Sequence, residues 1–66
     1  MKISATKIEL LMAKKKISVS ELAERSGMAR QNVSVVKNRG TCMPKTAQKL
    51  ADGLGVDVTE IMETEA

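Results

Sequence analysis

The chain contains no histidine, tryptophan, tyrosine or phenylalanine, and its only cysteine is Cys42. Without histidine and with a single thiol, it cannot supply a His/Cys metal cluster, a Ser-His-Asp or Cys-His catalytic arrangement, or an internal disulfide. The four glycines fit neither a P-loop nor a dinucleotide-binding fingerprint. These absences make an enzyme the least supported class of function, and we expect no cofactor and no bound metal.

The absence of aromatic residues also narrows the kinds of nucleic acid that the chain could bind. Single-stranded DNA and unpaired RNA bases are usually held by stacking on aromatic side chains. A nucleic-acid ligand of this chain is therefore expected to be a duplex.

Long apolar runs are missing as well. No uncharged stretch approaches the roughly 20 residues that cross a bilayer, and no apolar segment follows the basic start as it does in a signal peptide. We therefore predict a cytoplasmic protein with no membrane partner. A length of 66 residues leaves room for one domain, 1–66, and none for a small-molecule effector domain. The last three or four residues are expected to fray.

Acidic residues are absent from the middle of the sequence. Residues 28–49 contain five basic residues and no acidic one, whereas residues 50–66 contain five acidic residues and no basic one. The net charge of +3 therefore conceals a strong segregation. A polyanion would be attracted to the middle and repelled by the end, although a solvated basic surface fits this composition equally well.

Apolar spacing predicts helix almost everywhere, and no segment carries a convincing strand pattern. Helix 1 is predicted over about residues 5–14, with Ser4 or Thr6 as its N-cap. Helix 4 is predicted from Pro44, which suits a first helical position, to just before Gly55.

A short fifth helix is predicted after Asp57, because Asp-Val-Thr-Glu has the pattern of a capping box. Its apolar residues are Val58, Ile61 and Met62. They could form a dimer interface or simply complete the core, and the sequence does not favour either interpretation.

Methionines are expected to fill the core in place of the missing aromatics, since their side chains adapt to irregular gaps. The candidates are Met12, Met28, Met43 and Met62. Cys42 is expected to be a half-buried small residue.

Two short helices joined by a tight turn are predicted in the middle of the chain. The capping box Ser18-Val19-Ser20-Glu21 starts helix 2, which ends at Gly27, and helix 3 is predicted from Arg30 to Lys37 or Asn38. A separation of about three residues is typical of a helix-turn-helix, whose second helix enters the major groove of DNA.

The run from Ile17 to Val36 resembles the helix-turn-helix of the Cro/lambda-repressor-like (XRE) family of transcriptional regulators. The resemblance rests on Leu22-Ala23, Gly27, and the apolar positions Met28, Val33 and Val36. Pro44 and the run Ala47–Val56 resemble the fourth helix of that family. The resemblance implies a compact, all-α, five-helix, lambda-repressor-like domain that binds operator DNA through helix 3.

The chain departs from that family's pattern in and near the turn. Ser26 stands where an apolar residue is common, and Ala29 replaces the usual capping serine or threonine. Helix 3 is therefore predicted to lack a side-chain cap, because alanine offers no acceptor.

Carried over from the family, the positions that read base edges are held here by Ala29, Arg30, Gln31, Ser34 and Val35. The chemistry of the side chains agrees. An arginine can form two hydrogen bonds with guanine and a glutamine two with adenine, a serine is permissive, and a valine can pack on a thymine methyl group.

A second set of residues is predicted to contact DNA phosphates, which positions a protein on the duplex without reading its sequence. Ser18 and Ser20 begin helix 2, where backbone amides can also face a phosphate. The others lie in and after helix 3: Lys37, Asn38, Arg39 and Lys45.

These features favour sequence-specific binding of double-stranded DNA by a transcriptional regulator. We expect a repressor rather than an activator. One domain of this size reads about four or five base pairs, which is too few for selectivity in a genome. We therefore expect a homodimer, at least on DNA, with a two-fold symmetric operator whose half-sites lie about 34 Å apart.

Two other functions remain open. The acidic end, from Asp57 to Glu65, could dock a basic protein, which would make the chain a protein-interaction module such as an antitoxin-like subunit with a degenerate helix-turn-helix. Lys14–Lys16 could instead belong to a membrane-surface amphipathic helix, although the rest of the chain folds plausibly without a membrane.

Overall fold

Four α-helices follow one another along the chain, and a single turn of 3-10 helix comes after the fourth. The computed structural model describes residues 1–63. The helices are α1 (Ala5–Lys15), α2 (Val19–Ser26), α3 (Arg30–Arg39) and α4 (Pro44–Leu54), and the 3-10 turn is Val58–Glu60. The all-α class is confirmed, whereas the predicted fifth α-helix is wrong.

The fifth helix stops after one turn because the chain must reach the core and a neighbouring segment. The Asp57 carboxylate accepts the amide of Thr59 at 3.1 Å, two residues on, whereas a capping box uses the third residue. Ile61 is fully buried, and Met62 forms an antiparallel bridge with Ile3. An extended backbone at Met62 is incompatible with further helix. The predicted fraying of the chain end lies outside the described residues.

Side-chain caps start the first two helices. Ser4 Oγ accepts the amide of Lys7 at 3.2 Å, which makes Ser4 rather than Thr6 the N-cap of α1. Ser18 Oγ accepts the amide of Glu21 at 3.1 Å, which is the first of the two hydrogen bonds of a capping box. The Glu21 carboxylate forms an ion pair with Arg25 at 2.8 Å, one helical turn further on. The backbone amide of Glu21 thus serves the N-cap, and its side chain is paired with the last turn of α2.

The core is formed mainly by α1, α2 and α4, with Val33 contributed by α3. In α4, the stripe Ala47, Leu50, Ala51 and Leu54 is at most 1% exposed, as the spacing predicts. The largest fully buried side chains are Ile3, Ile8, Leu22, Leu50, Leu54, Ile61 and Val33. Because Ile61 is among them, the segment after the 3-10 turn completes the core.

α2 and α4 approach each other closely at Ser26 and Gly53. A Cβ atom at Gly53 would overlap Ser26 Oγ and would lie 3.1 Å from Leu22 Cδ1. Gly53 is therefore required for packing. Ser26 is buried, and its hydroxyl has no hydrogen-bond partner among residues 1–63. Ser26, one of the residues that depart from the family pattern, thus lies in a close contact between two helices.

The start of the chain fastens the end of α3 to the segment after the 3-10 turn. Lys2 pairs with Thr41 and Ile3 with Met62, each in an antiparallel bridge. The amide of Ile3 donates to the Gly40 carbonyl at 2.9 Å. These bridges are too short to leave a periodic pattern in the sequence, and they fix the loop that follows α3.

Two further expectations concern single residues. Met12 is buried, and Met28 is partly buried against the core, but Met43 is 72% exposed, so its assignment to the core is wrong. Met43 is the N-cap of α4 and lies outside the buried stripe of that helix. None of the helices within residues 1–63 has the length and apolarity needed to cross a membrane.

Candidate nucleic-acid interface

α2 and α3 are joined by the three residues Gly27–Ala29, as the helix-turn-helix prediction requires. Gly27 has φ 69°, a left-handed conformation that glycine adopts without steric cost. The amide of Met28 donates to the Ala23 carbonyl at 2.9 Å, and the Met28 side chain packs against the core. The turn is therefore held by backbone hydrogen bonds on one side and by an apolar anchor on the other.

α3 begins without a side-chain cap. Its N-cap is Ala29, whose backbone is extended and whose side chain makes no capping hydrogen bond, as predicted. Ala29 thus gives the first amides of α3 no side-chain acceptor, and these amides can donate to a ligand oxygen instead.

The outward side of α3 forms a ridge of polar and small residues. Val33 is buried and Val36 packs against the core, which turns the opposite side of the helix to solvent. There, residues spaced i, i+1, i+4 and i+5 form what we term the reading ridge: Arg30, Gln31, Ser34 and Val35. All are exposed except the half-buried Ser34.

The apolar member of the ridge is Val35, which is 50% exposed. Val35 belongs neither to the buried core of residues 1–63 nor to the partly buried side chains packed against it. Such a position suits contact with a methyl group on a ligand surface. Ala29, the remaining predicted base-reading residue, is exposed immediately before the ridge.

The residues predicted to contact phosphate are exposed, with one exception. Ser18, Ser20, Asn38, Arg39 and Lys45 are at the surface. The Ser18 oxygen accepts the Glu21 amide, and a hydroxyl in this role can still donate its own proton to a phosphate oxygen.

Lys37 is the exception. Its side chain is only 18% exposed, and its Nζ lies 3.3 Å from Glu9 Oε1 on α1. This ion pair links α3 to α1, so Lys37 can reach a phosphate only by sharing or leaving Glu9. Sequence reasoning missed the role of Glu9, although it is the only acidic residue among residues 1–16.

Three basic side chains, one in the ridge and two that follow it in the sequence, have no carboxylate partner among the described residues. Arg30, Arg39 and Lys45 form no ion pair with any residue in positions 1–63. α3 contains no acidic residue, and Lys37 and Arg39 lie in its last turn, where they also offset the negative end of the helix dipole. The surface around α3 is therefore suited to a polyanion.

Cys42 lies in a shallow cleft beside the end of α3. The cleft measures about 330 Å³ and is lined by Val36, Arg39, Thr41, Cys42, Met43 and Thr46. Burial raises the pKa of the Cys42 thiol above its usual value, which lowers the thiolate fraction and hence its reactivity. The half-buried state predicted for Cys42 is confirmed.

The side chains of the reading ridge determine which contacts this surface can make. Across positions 1–63, no group of three or more His, Cys, Asp or Glu side chains could hold a metal ion. The exposed ridge can form hydrogen bonds, apolar contacts and charge contacts, which are the interactions of a binding surface.

Comparison with known families agrees with this geometry. The model of the Cro/C1-type HTH DNA-binding domain matches residues 7–66, a range that includes α2, α3, α4, the turn between α2 and α3, and all of α1 except its first two residues. No curated protein and no solved structure matches the chain significantly.

Proposed function

Since the chain belongs to the family of Cro/C1-type helix-turn-helix DNA-binding domains, we propose that it is a sequence-specific transcriptional regulator that reads the major groove of double-stranded DNA with α3. Members of such a family are typically not enzymes. We propose further that it acts in the cytoplasm as a repressor, because a domain seated on an operator excludes other proteins from the same base pairs.

The observation that carries this proposal is the exposure of the reading ridge on a helix whose opposite side is anchored in the core. Arg30 at the start of the ridge can donate two hydrogen bonds to O6 and N7 of guanine. Gln31 can pair with N6 and N7 of adenine, and Val35 can pack on a thymine methyl group. Ser34 and the methyl group of Ala29 complete the proposed base contacts.

Phosphate contacts hold this ridge in register in our proposal. The hydroxyls of Ser18 and Ser20 and the backbone amides at the start of α2 contact a phosphate of one DNA strand. Asn38, Arg39 and Lys45 contact phosphates near the C-terminal end of α3. Lys37 adds a further phosphate contact when its ion pair with Glu9 opens. These contacts supply affinity for any duplex, and the ridge supplies the preference for one sequence.

A homodimer on a two-fold symmetric operator extends the site. Two reading ridges about 34 Å apart would face successive turns of the same major groove. Doubling the number of base pairs read raises selectivity to the level that a genome demands.

Selection of bound duplexes from a random pool, followed by sequencing, tests the proposal and identifies the operator. The selected duplex is then titrated with the protein over a series of salt concentrations. Only cationic contacts release counterions, so Arg39, Lys45 and, when it leaves Glu9, Lys37 predict a log–log slope of about −2 to −3 for a single half-site. No enrichment of any sequence, together with a slope near zero, contradicts the proposal.

A pair of matched variants separates the DNA-facing charges from the general charge of the protein. Lys45→Gln and Lys15→Gln each remove one positive charge from an exposed position, but only Lys45 belongs to the proposed phosphate contacts. Lys45→Gln should reduce the slope by about 1, and Lys15→Gln should change it less. Equal slopes for the two variants would place the duplex elsewhere on the protein.

A further inference from the structure

α1 exposes one large apolar side chain, that of Leu10, which the proposed DNA contacts do not use. Leu10 is 57% exposed and lies at a groove between α1 and the 3-10 turn. This α1 groove has a volume of about 360 Å³ and is lined by Lys7, Leu10, Leu11, Lys14, Thr59 and Glu60. None of these residues is among the proposed base or phosphate contacts.

The α1 groove and α3, which carries the reading ridge, lie against different flanks of α1. Glu9 turns towards α3, where it pairs with Lys37 at 3.3 Å. Lys7, Leu11 and Lys14 follow each other at spacings of four and three, which places them together on another flank of the helix. A molecule seated in the groove would therefore leave the reading ridge exposed.

The two walls of the groove carry opposite charges. Lys14 belongs to the α1 wall and Glu60 to the wall formed by the 3-10 turn. Within residues 1–63, neither of them forms an ion pair. Lys7 has a different role, since its Nζ donates to the Met62 carbonyl at 3.0 Å and ties α1 to the segment after the 3-10 turn.

We propose that the α1 groove is the surface through which two copies of this chain meet on DNA. In a two-fold contact every interaction occurs twice, so Lys14 of one copy faces Glu60 of the partner subunit and the reverse. The two Leu10 side chains are then covered near the axis. A basic wall beside an acidic wall is complementary to a second copy of itself, and this complementarity selects the chain itself as the occupant.

The size of the groove predicts a weak dimer. A stable interface of standard size buries about 800 Å² on each partner, which is close to a fifth of the 4370 Å² surface of this chain. Six lining residues provide less than that. We therefore expect mostly monomers at micromolar concentration, and association on adjacent half-sites, where the local concentration is in the millimolar range.

A charge-reversal series tests the contact. Its measurements on DNA rest on the proposed function. Lys14→Glu and Glu60→Lys each place like charges across the interface, whereas the double variant restores opposite charges. Cooperativity of binding is measured on a duplex with two half-sites and compared with binding to one half-site. Each single variant should lower cooperativity about tenfold, and the double variant should recover most of it.

Lys15→Glu is the matched control, because it changes the charge equally at a neighbouring exposed position outside the groove. It should keep the cooperativity, while it and Lys14→Glu should weaken half-site binding by the same factor. Leu10→Ser should lower cooperativity without a change in half-site affinity. Far-UV circular dichroism confirms that each variant is folded.

Cooperativity that survives both single reversals, or that the double variant fails to recover, overturns the proposed interface and leaves the proposed function intact. If the protein binds no duplex, the proposed function fails instead. The interface is then tested by sedimentation equilibrium of the free protein at millimolar concentration. Association that each single reversal abolishes and the double variant restores supports the groove, and association insensitive to all three variants overturns it.

Discussion

The close contact between Ser26 and Gly53 makes alanine at position 53 a test of how α2 and α4 pack. In an exposed helix interior, replacing glycine by alanine stabilises by about 1 kcal/mol. Here the added Cβ would overlap Ser26 Oγ and lie 3.1 Å from Leu22 Cδ1, and overpacking of this kind costs about 1–3 kcal/mol. Gly53→Ala should therefore lower the free energy of unfolding, by up to about 2 kcal/mol.

Ser26→Ala should have the opposite effect. The buried hydroxyl has no hydrogen-bond partner among residues 1–63, and burying an unsatisfied polar group costs about 1–3 kcal/mol. Part of that gain is lost because the space left by Oγ is only partly refilled, so we expect a net stabilisation of about 1 kcal/mol. In the Ser26→Ala background, Gly53→Ala should cost about 1 kcal/mol less than it does alone, since its closest obstacle is gone.

The series is measured by thermal and urea denaturation followed by far-UV circular dichroism, because the chain has no aromatic residue to report by fluorescence. A change of 1 kcal/mol moves the Tm of a domain of this size by roughly 4–8 °C. Ser20→Ala, at an exposed position of the same helix, is the control for the change of residue type. A Gly53→Ala variant that melts higher than the parent, with no coupling to Ser26→Ala, would refute the packing argument.

Three further predictions concern the candidate interface. Arg30→Ala should cost about 1–3 kcal/mol on the selected duplex and should lose the preference for one base pair in a repeated selection, whereas an unchanged preference would remove Arg30 from the base contacts. Glu9→Gln should release Lys37 to a phosphate, strengthen binding to all duplexes and steepen the salt slope by about 1. Lys37→Ala should weaken binding to all duplexes alike. If neither change affects binding, Lys37 serves only to link α3 to α1. Since burial raises the pKa of the Cys42 thiol, the folded protein should react with iodoacetamide more slowly than the unfolded chain at pH 8.5. The neutral thiol should also stabilise the folded state. This contribution is present below the pKa of the thiol in the unfolded chain and should be lost as pH rises through its pKa in the folded protein. The pH dependence of the parent minus that of Cys42→Ala isolates this contribution, and identical profiles would contradict it.

Local chemistry made most helix boundaries predictable from the sequence. Ser18 and Gly27 bracket α2 because a side-chain acceptor starts a helix and a left-handed glycine ends it. Pro44 marks the start of α4 for the same kind of local reason. The fifth helix could not be predicted in this way, because the burial of Ile61 and the bridge of Met62 to Ile3 are contacts between distant parts of the chain.

The candidate site was predictable where it depends on helical spacing. The burial of Val33 and the exposure of Arg30 and Gln31 follow from the apolar pattern of α3. The link between Lys37 and Glu9 was not predictable, because it depends on how α1 lies against α3. The α1 groove is likewise a product of packing, since Leu10 and Glu60 are separated by most of the chain.

The central claim is that the outward side of α3 meets DNA, and an NMR titration of the ¹⁵N-labelled protein with the selected duplex tests it most directly. We predict that the largest amide shift changes fall on Arg30, Gln31, Ser34 and Val35, with smaller changes at the start of α2. Glu60 should shift only with a duplex that holds two half-sites. Changes confined to α1 and the 3-10 turn, with those four amides of α3 unmoved, would contradict the account.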